Sequence, residues 1–252
     1  MSLARFTVND TSLRLISALL LLAIWQAASL SDSALLPGPA TVLRAAIDDA
    51  TEGYLLSDLG YTLARVAASF VLAMAAGSAI GMLMGRSRPV DGLFDLWLVL
   101  GLNVPALVII ILCYLWIGLN ETAAIAAVAL NKVAQTAVIL REGARSVDPQ
   151  LLQVADVLRL PWARRMRRAY LPQLYPYFMA ATRTGLSLIW KIVLVVELIG
   201  RSNGVGFRLG LYFQFFDIAN ILAYSASFIA IVLAIEGLVI RPLERRLTRW
   251  RT

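Results

Sequence analysis

The chain has 252 residues, 60% of them apolar types, and a mean hydropathy of +0.75; soluble domains hold roughly 45–50% apolar residues, so this is a membrane protein. Histidine is absent and Cys113 is the single cysteine, which excludes a disulfide framework, Cys/His zinc sites and any mechanism with imidazole as its base. The formal charge of +7 comes almost wholly from arginine, and the arginines cluster between apolar runs rather than on a nucleic-acid-binding face.

The first residues, MSLARFTVNDTSLRL, are too polar for the n-region of a cleaved signal, and the apolar run behind them lacks a convincing small-residue cleavage site. Residues 13–30 are therefore read as the first span, with Arg5 and Arg14 on its inner side. Residues 31–60 set Asp32, Asp48, Asp49, Glu52 and Asp58 against Arg44 alone and read as an outer loop. The second span, about 62–85, carries Ala73, Gly77, Gly81 and Gly85 at intervals of four, a small-residue stripe for close helix packing. GRSRPVDG (85–92) turns back at the inner face. The third apolar region, about 93–119, is interrupted by Asn103 and Pro105, which predicts a broken or kinked helix whose freed backbone groups face protein or water. Asn120-Glu121-Thr122 leads into a fourth span to about residue 140.

Residues 148–172, DPQLLQVADVLRLPWARRMRRAYLP, are polar and basic between two apolar segments. Asp148-Pro149 reads as an N-cap with proline at the first helical position, and Leu151, Val154, Ala155 and Leu158 fall on one helical face. That helix is expected to stop near Leu160 because of Pro161, which opens a second short helix through Arg168. Two angled, arginine-rich helices at a membrane face make a docking surface. A fifth span (about 177–199), an outer loop GRSNGVGFRLG (200–210), a sixth span (about 219–240) and the tail RPLERRLTRWRT complete the chain. Arg5, Arg86, Arg88, Arg141, Arg145, Arg159, Arg164, Arg165, Arg167, Arg168, Arg241, Arg245, Arg246, Arg249 and Arg251 fall on one side, against chiefly Arg44, Arg201 and Arg208 on the other. The basic side is the cytoplasmic one, which places both termini and the docking stretch inside. The expectation is an all-α integral membrane protein of about six spans, a single domain over residues 1–252.

Chemistry within the chain is sparse. Lys132 precedes valine and Lys191 precedes isoleucine, so neither completes a G-x-x-x-x-G-K-[ST] phosphate loop, and Gly204-x-Gly206 follows a span rather than a strand and reads as a tight turn. The carboxylates are scattered, with no acid/base pair. A lysine at mid-bilayer costs about 2.5–3.5 kcal/mol, so both lysines should face the bundle interior. Asn131, Lys132 and Gln135 share a face of the fourth span, and Thr184, Ser187 and Lys191 form a polar stripe on the fifth. With Asn103 and Pro105, these residues are the candidate translocation path, suited to an anion. The alternative is that each lysine is neutralised by a carboxylate such as Glu236; Glu197 is expected to pair with Arg201 one turn on.

The stretch Gln153-Val154-Ala155-Asp156, Arg159 and Leu171-Pro172 resembles the EAA loop of bacterial ATP-binding cassette importer permeases. LLPGP (35–39), NVP (103–105) with LWIGLNET (115–122), and ELIGRSNGVGF (197–207) resemble signatures of the nitrate/sulfonate/taurine group. The likeness runs over about residues 35–250, with Gln153 and Val154 replacing the usual glutamate and first alanine, Arg159 in place of the glycine that breaks the helix, and Ile111 where many relatives carry proline. Pro161 is expected to supply the missing break.

The resemblance implies an inner-membrane permease, without bound cofactor, that pairs with a second copy. It implies two cytoplasmic ATPase subunits that hold ATP-Mg, and an extracytoplasmic solute-binding protein. Gln153, Val154, Ala155, Asp156, Arg159, Leu171 and Pro172 would couple permease to ATPase. The cargo of that group includes nitrate, sulfonates, taurine and bicarbonate. The rival readings are a self-sufficient secondary transporter or channel, which leaves the docking helix unexplained, and a membrane-embedded enzyme, for which no catalytic cluster is visible.

Overall fold

A computed structural model of the chain describes residues 10–30 and 35–242. Arg5, Asp32, Arg245, Arg246, Arg249 and Arg251 lie outside the described residues, as does the side chain of Arg14. Among the described residues there are helices and no strand. In order they are α1 (Asp10–Ser29), α2 (Pro39–Thr51), α3 (Leu55–Arg86), α4 (Arg88–Asn103), α5 (Ala106–Ile117), α6 (Glu121–Arg145), α7 (Pro149–Val157), α8 (Trp162–Arg165), a π-turn (Met166–Tyr170), α9 (Leu171–Gly200), α10 (Val205–Gln214), α11 (Ile218–Ile235) and a second π-turn (Glu236–Ile240).

Leu55–Arg86, Glu121–Arg145, Trp162–Gly200 and Ile218–Ile240 are long and apolar enough to cross a bilayer, and α4 with α5 makes a fifth crossing if the two are one broken span. Among the described residues that makes four crossings or five, against about six expected; the expected first span is not among them, because its apolar part, Leu15–Ser29, is shorter than the roughly 20 residues a crossing needs. Two segments read as outer loops are partly helical. Residues 31–60 contain α2 and the start of α3, and residues 200–210 run into α10.

The ends of the helices follow from local chemistry. Asn120 Oδ1 accepts the Ala123 N–H at 2.9 Å to start α6, and Asp217 Oδ1 accepts the Asn220 N–H at 3.1 Å to start α11. At Pro105 the chain lacks the N–H that Gly101 would need, and α4 and α5 meet at 100°. Asn103 Nδ2 folds back on Val99 O at 2.7 Å, and both Asn103 and Pro105 are exposed rather than directed into the bundle.

Each π-turn is followed by one residue and then a proline, Leu171-Pro172 and Arg241-Pro242. The Leu171 N–H reaches Met166 O and the Arg241 N–H reaches Glu236 O, a wider turn that accommodates a proline unable to donate to the fourth carbonyl before it. Helix therefore runs from Trp162 to Gly200. Pro161 opens it as expected, but no separate helix ends at Arg168, and Leu171-Pro172 lies within the run instead of closing the loop.

The small-residue stripe seats α3 against α6. A Cβ at Gly77 would come 2.6 Å from Thr136 Cβ, one at Gly81 2.3 Å from Ala137 O, and one at Gly85 2.5 Å from Ala144 Cβ. The larger core gathers Val66, Ile110, Val128, Ile189, Val193 and Tyr224, and includes Cys113 as a buried packing residue; a smaller one joins Met84, Leu98, Ala134 and Ala137.

Candidate docking and translocation sites

The docking stretch is a capped and anchored helix. Asp148 Oδ1 accepts the Gln150 N–H at 2.8 Å with Pro149 at the first helical position, as the sequence predicts. The Asp148 N–H in turn donates to Gln173 Oε1 at 2.9 Å, while Gln173 Nε2 donates to Ala169 O at 2.7 Å. Gln173, absent from the expected set, thus ties the start of α7 to the root of α9. Asp156 meets Arg165 at 2.8 Å, which braces α7 against α8. Within the expected apolar face, Ala155 is 3% exposed and packs inward, whereas Leu151, Val154 and Leu158 are at least half exposed, as is Val157 outside that set. Gln153 and Arg159 are exposed as well, and Leu171 and Pro172 are half-buried.

The break after α7 comes earlier than expected and from a different residue. Arg159 itself takes a left-handed conformation, φ 47°. The Leu160 N–H then bonds Ala155 O at 3.0 Å and the Arg159 N–H bonds Asp156 O at 2.9 Å, the two hydrogen bonds of a Schellman C-cap. The backbone is the one a glycine would adopt, so Pro161 is not needed to make the break. A Cβ in this region costs about 1 kcal/mol. Arg159→Gly is expected to slow hydrogen exchange of the Leu160 amide by about threefold to fivefold through this relief.

The candidate path residues do not form one surface. Lys132 is 2% exposed; its Nζ donates to Gln135 Oε1 and, at 3.4 Å, to Thr184 O, so it links α6 to α9 inside the wall. Asn131 is half-buried beside it. Thr184 Oγ1 returns to Ala180 O at 2.9 Å and Ser187 Oγ to Thr184 O at 3.2 Å, so both hydroxyls also donate to their own helix. Lys191 is exposed and, with Ser187 and Ser225, contributes polar groups to an otherwise apolar cleft of about 460 Å³, walled by Trp190, Leu209, Phe228 and Val232 among others. Glu236 does not neutralise either lysine: it pairs with Arg183 at 3.3 Å and approaches Arg241 at 3.8 Å.

At the opposite end of the bundle from α7 lies a buried ionic network that helical spacing in the sequence does not reveal. Arg65 is 3% exposed. Its guanidinium binds Glu121 through Nε and Nη2 at 2.8 and 2.7 Å, Glu197 Oε1 at 2.7 Å, Asn203 O at 2.9 Å and Asn203 Oδ1. Glu197 has no exposure and is held further by Thr62 Oγ1 at 2.9 Å and the Gly206 N–H at 2.8 Å. The expected Glu197–Arg201 pair is therefore wrong; Arg201 binds Glu121 at 2.7 Å and Leu119 O at 3.0 Å. An i,i+4 pair joins neighbours on one exposed helix face, whereas Glu197 faces the bundle. Asp58 accepts the Gly204 N–H at 2.8 Å and Arg208 Nε at 2.7 Å, while Asp49 accepts from Tyr212 at 3.3 Å and Tyr224 at 2.5 Å. Gly204 N-caps α10 at φ 103°, where a Cβ would lie 2.5 Å from the Glu197 carboxyl carbon. One signal could have found the network: Arg65 stands inside an apolar run, and a charge there needs a buried partner.

A bundle of long apolar helices with a helix pair sharply bent at Pro105, a cleft holding a lysine, and a firmly capped helix with an exposed apolar face describe a multi-pass membrane protein. The chain belongs to the family described as binding-protein-dependent transport system inner membrane component, which matches residues 73–249. It is 30% identical over 234 residues to a putative aliphatic sulfonates transport permease of Bacillus subtilis, covering 92% of this chain and 84% of that one. It is also 30% identical over 240 residues to the taurine transport system permease of Escherichia coli, covering 92% and 87%. The fold matches the crystal structure of an amino acid ABC transporter with histidines at a TM-score of 0.62 and 23% identity, over 76% of this chain and 93% of that one. The protein is thus an inner-membrane permease of the ABC transporter class.

Proposed function

We propose that this chain is the translocating subunit of an ATP-driven importer for a small anion. In the working assembly two copies lie side by side, α7 of each docks on a cytoplasmic ATPase that holds ATP-Mg, and an extracytoplasmic binding protein delivers the solute. Both chain termini lie on the cytoplasmic side in this arrangement. The observation that carries the reading is the exposed apolar face of α7 on a helix capped by Asp148 and rooted to α9 through Gln173, a surface ready to transmit a partner's motion into a span. ATP-driven closure of the ATPase pair would move α7 and open the bundle outward, and hydrolysis would reset it.

The anionic cargo is supported by Lys191 in its cleft and by the sulfonate and taurine named for two relatives. Lys132 acts from within the wall, fixing α6 against α9. Lys191→Gln is expected to lower ATP-driven taurine or alkanesulfonate uptake by about tenfold in proteoliposomes that hold the whole transporter, the loss of one charge-assisted contact. Full uptake after Lys132→Gln with Lys191→Gln would remove the anion assignment. Uptake by the purified permease without ATPase or ATP would instead establish a secondary transporter or channel.

A further inference from the structure

We propose that Arg159 selects the partner ATPase by binding a carboxylate on the rim of the groove that receives α7. The inference rests on the coupling reading above and adds the charge of the partner's surface. Around the exposed Leu151, Val154, Val157 and Leu158, the local charges are not balanced. Asp156 is neutralised by Arg165 at 2.8 Å, Asp148 is engaged in the N-cap at the other end of the helix, and Gln153 is neutral. Arg159 and Arg164 are exposed, and neither has a carboxylate partner among the described residues. The docking face is therefore apolar with a basic edge at its C-terminal end, where Arg159 directly follows Leu158. A surface that covers this patch and carries basic groups opposite Arg159 would meet like charge; an acidic rim meets its complement.

Two competing roles for the Arg159 charge fit the geometry less well. A cation at a helix C-terminus gains from the exposed carbonyls, but arginine in the preceding helical turn gains the same without a left-handed backbone. Contact with lipid phosphate suits Arg167 and Arg168, which sit on the π-turn at the root of the span, better than Arg159 at the end of α7.

The test uses the full-length permease in lipid discs and the ATPase that co-purifies with it, with association measured across a salt series. Arg159→Asn keeps tolerance of the left-handed backbone and removes the charge; it is expected to weaken association by about fivefold to tenfold and to flatten the salt dependence. Arg159→Gly should do the same even though it relaxes the loop. Arg159→Glu should be weaker still by about threefold or more, and reversal of one groove-rim carboxylate to lysine or arginine on the ATPase should restore it. Wild-type affinity and salt slope for Arg159→Asn would overturn the proposal, as would a loss seen only in discs that contain anionic lipid. Leu151→Asp separates the two levels. If it abolishes association while Arg159→Asn does nothing, docking stands and the charge assignment fails; if it leaves association intact, docking fails and the assignment falls with it.

Discussion

Replacing Arg65 by leucine is expected to cost about 3–5 kcal/mol, because removing one partner leaves the other charge buried. Glu197, with no exposure, would keep only the Thr62 hydroxyl and the Gly206 N–H, and Asn203 would lose both of its contacts. The Glu121 side of the network contributes less: that carboxylate is 48% exposed, where an ion pair is worth about 0–1 kcal/mol. Arg65→Lys should recover only part of the loss, since one ammonium cannot present the fork that joins Glu121, Glu197 and Asn203. Glu197→Gln should fall between, as the amide can still accept from Thr62 or Gly206 but leaves Arg65 with Glu121 as its one carboxylate partner beside the Asn203 oxygens. Unfolding midpoints of the purified protein in detergent, followed by circular dichroism, check the order. Equal midpoints for Arg65→Leu and wild type would show that the network does not hold the helix ends together.

The second large effect belongs to α7. Leu151→Asp combined with Val154→Asp should reduce ATP-driven uptake by at least about tenfold, the scale of a disrupted interface anchor, while the unfolding free energy of the isolated permease stays within about 0.5 kcal/mol of wild type. Both side chains are half exposed, so charges there meet water in the isolated permease. Ala155→Asp makes the contrast. Ala155 is 3% exposed against its own chain, and a carboxylate at that position should lower stability as well as transport. A charge at Ala155 therefore tests packing, and charges at Leu151 and Val154 test docking. Wild-type uptake in the Leu151/Val154 double variant would remove α7 from the coupling path.

Several parts of this arrangement were legible because their cause is local. The Asp148-Pro149 start of α7 follows from capping chemistry and the break at Pro105 from a missing donor. The seat of α3 on α6 followed from a four-residue stripe of small residues, since a close approach requires them whatever the partner helix is. The end of α7 shows the boundary of such reasoning. Pro161 was a sufficient reason for the helix to stop, yet the stop occurs at Arg159, whose left-handed turn brings the Leu160 and Arg159 N–H groups onto the carbonyls of Ala155 and Asp156. The path residues show the same boundary. Helical spacing placed Lys132 and Gln135 together correctly, and it could not say that Lys132 is enclosed while Lys191 opens on a cleft.

By itself, the sequence determined the membrane setting, the helical class, the break at Pro105 and the capped start of α7, since apolar run length, proline, caps and charge placement act over a few residues and need no partner. Only the tertiary structure decided which charges meet. Arg65 and Glu197 are separated by 132 positions and become a pair because α3 and α9 bring them to the same end of the bundle, where burial makes each indispensable to the other.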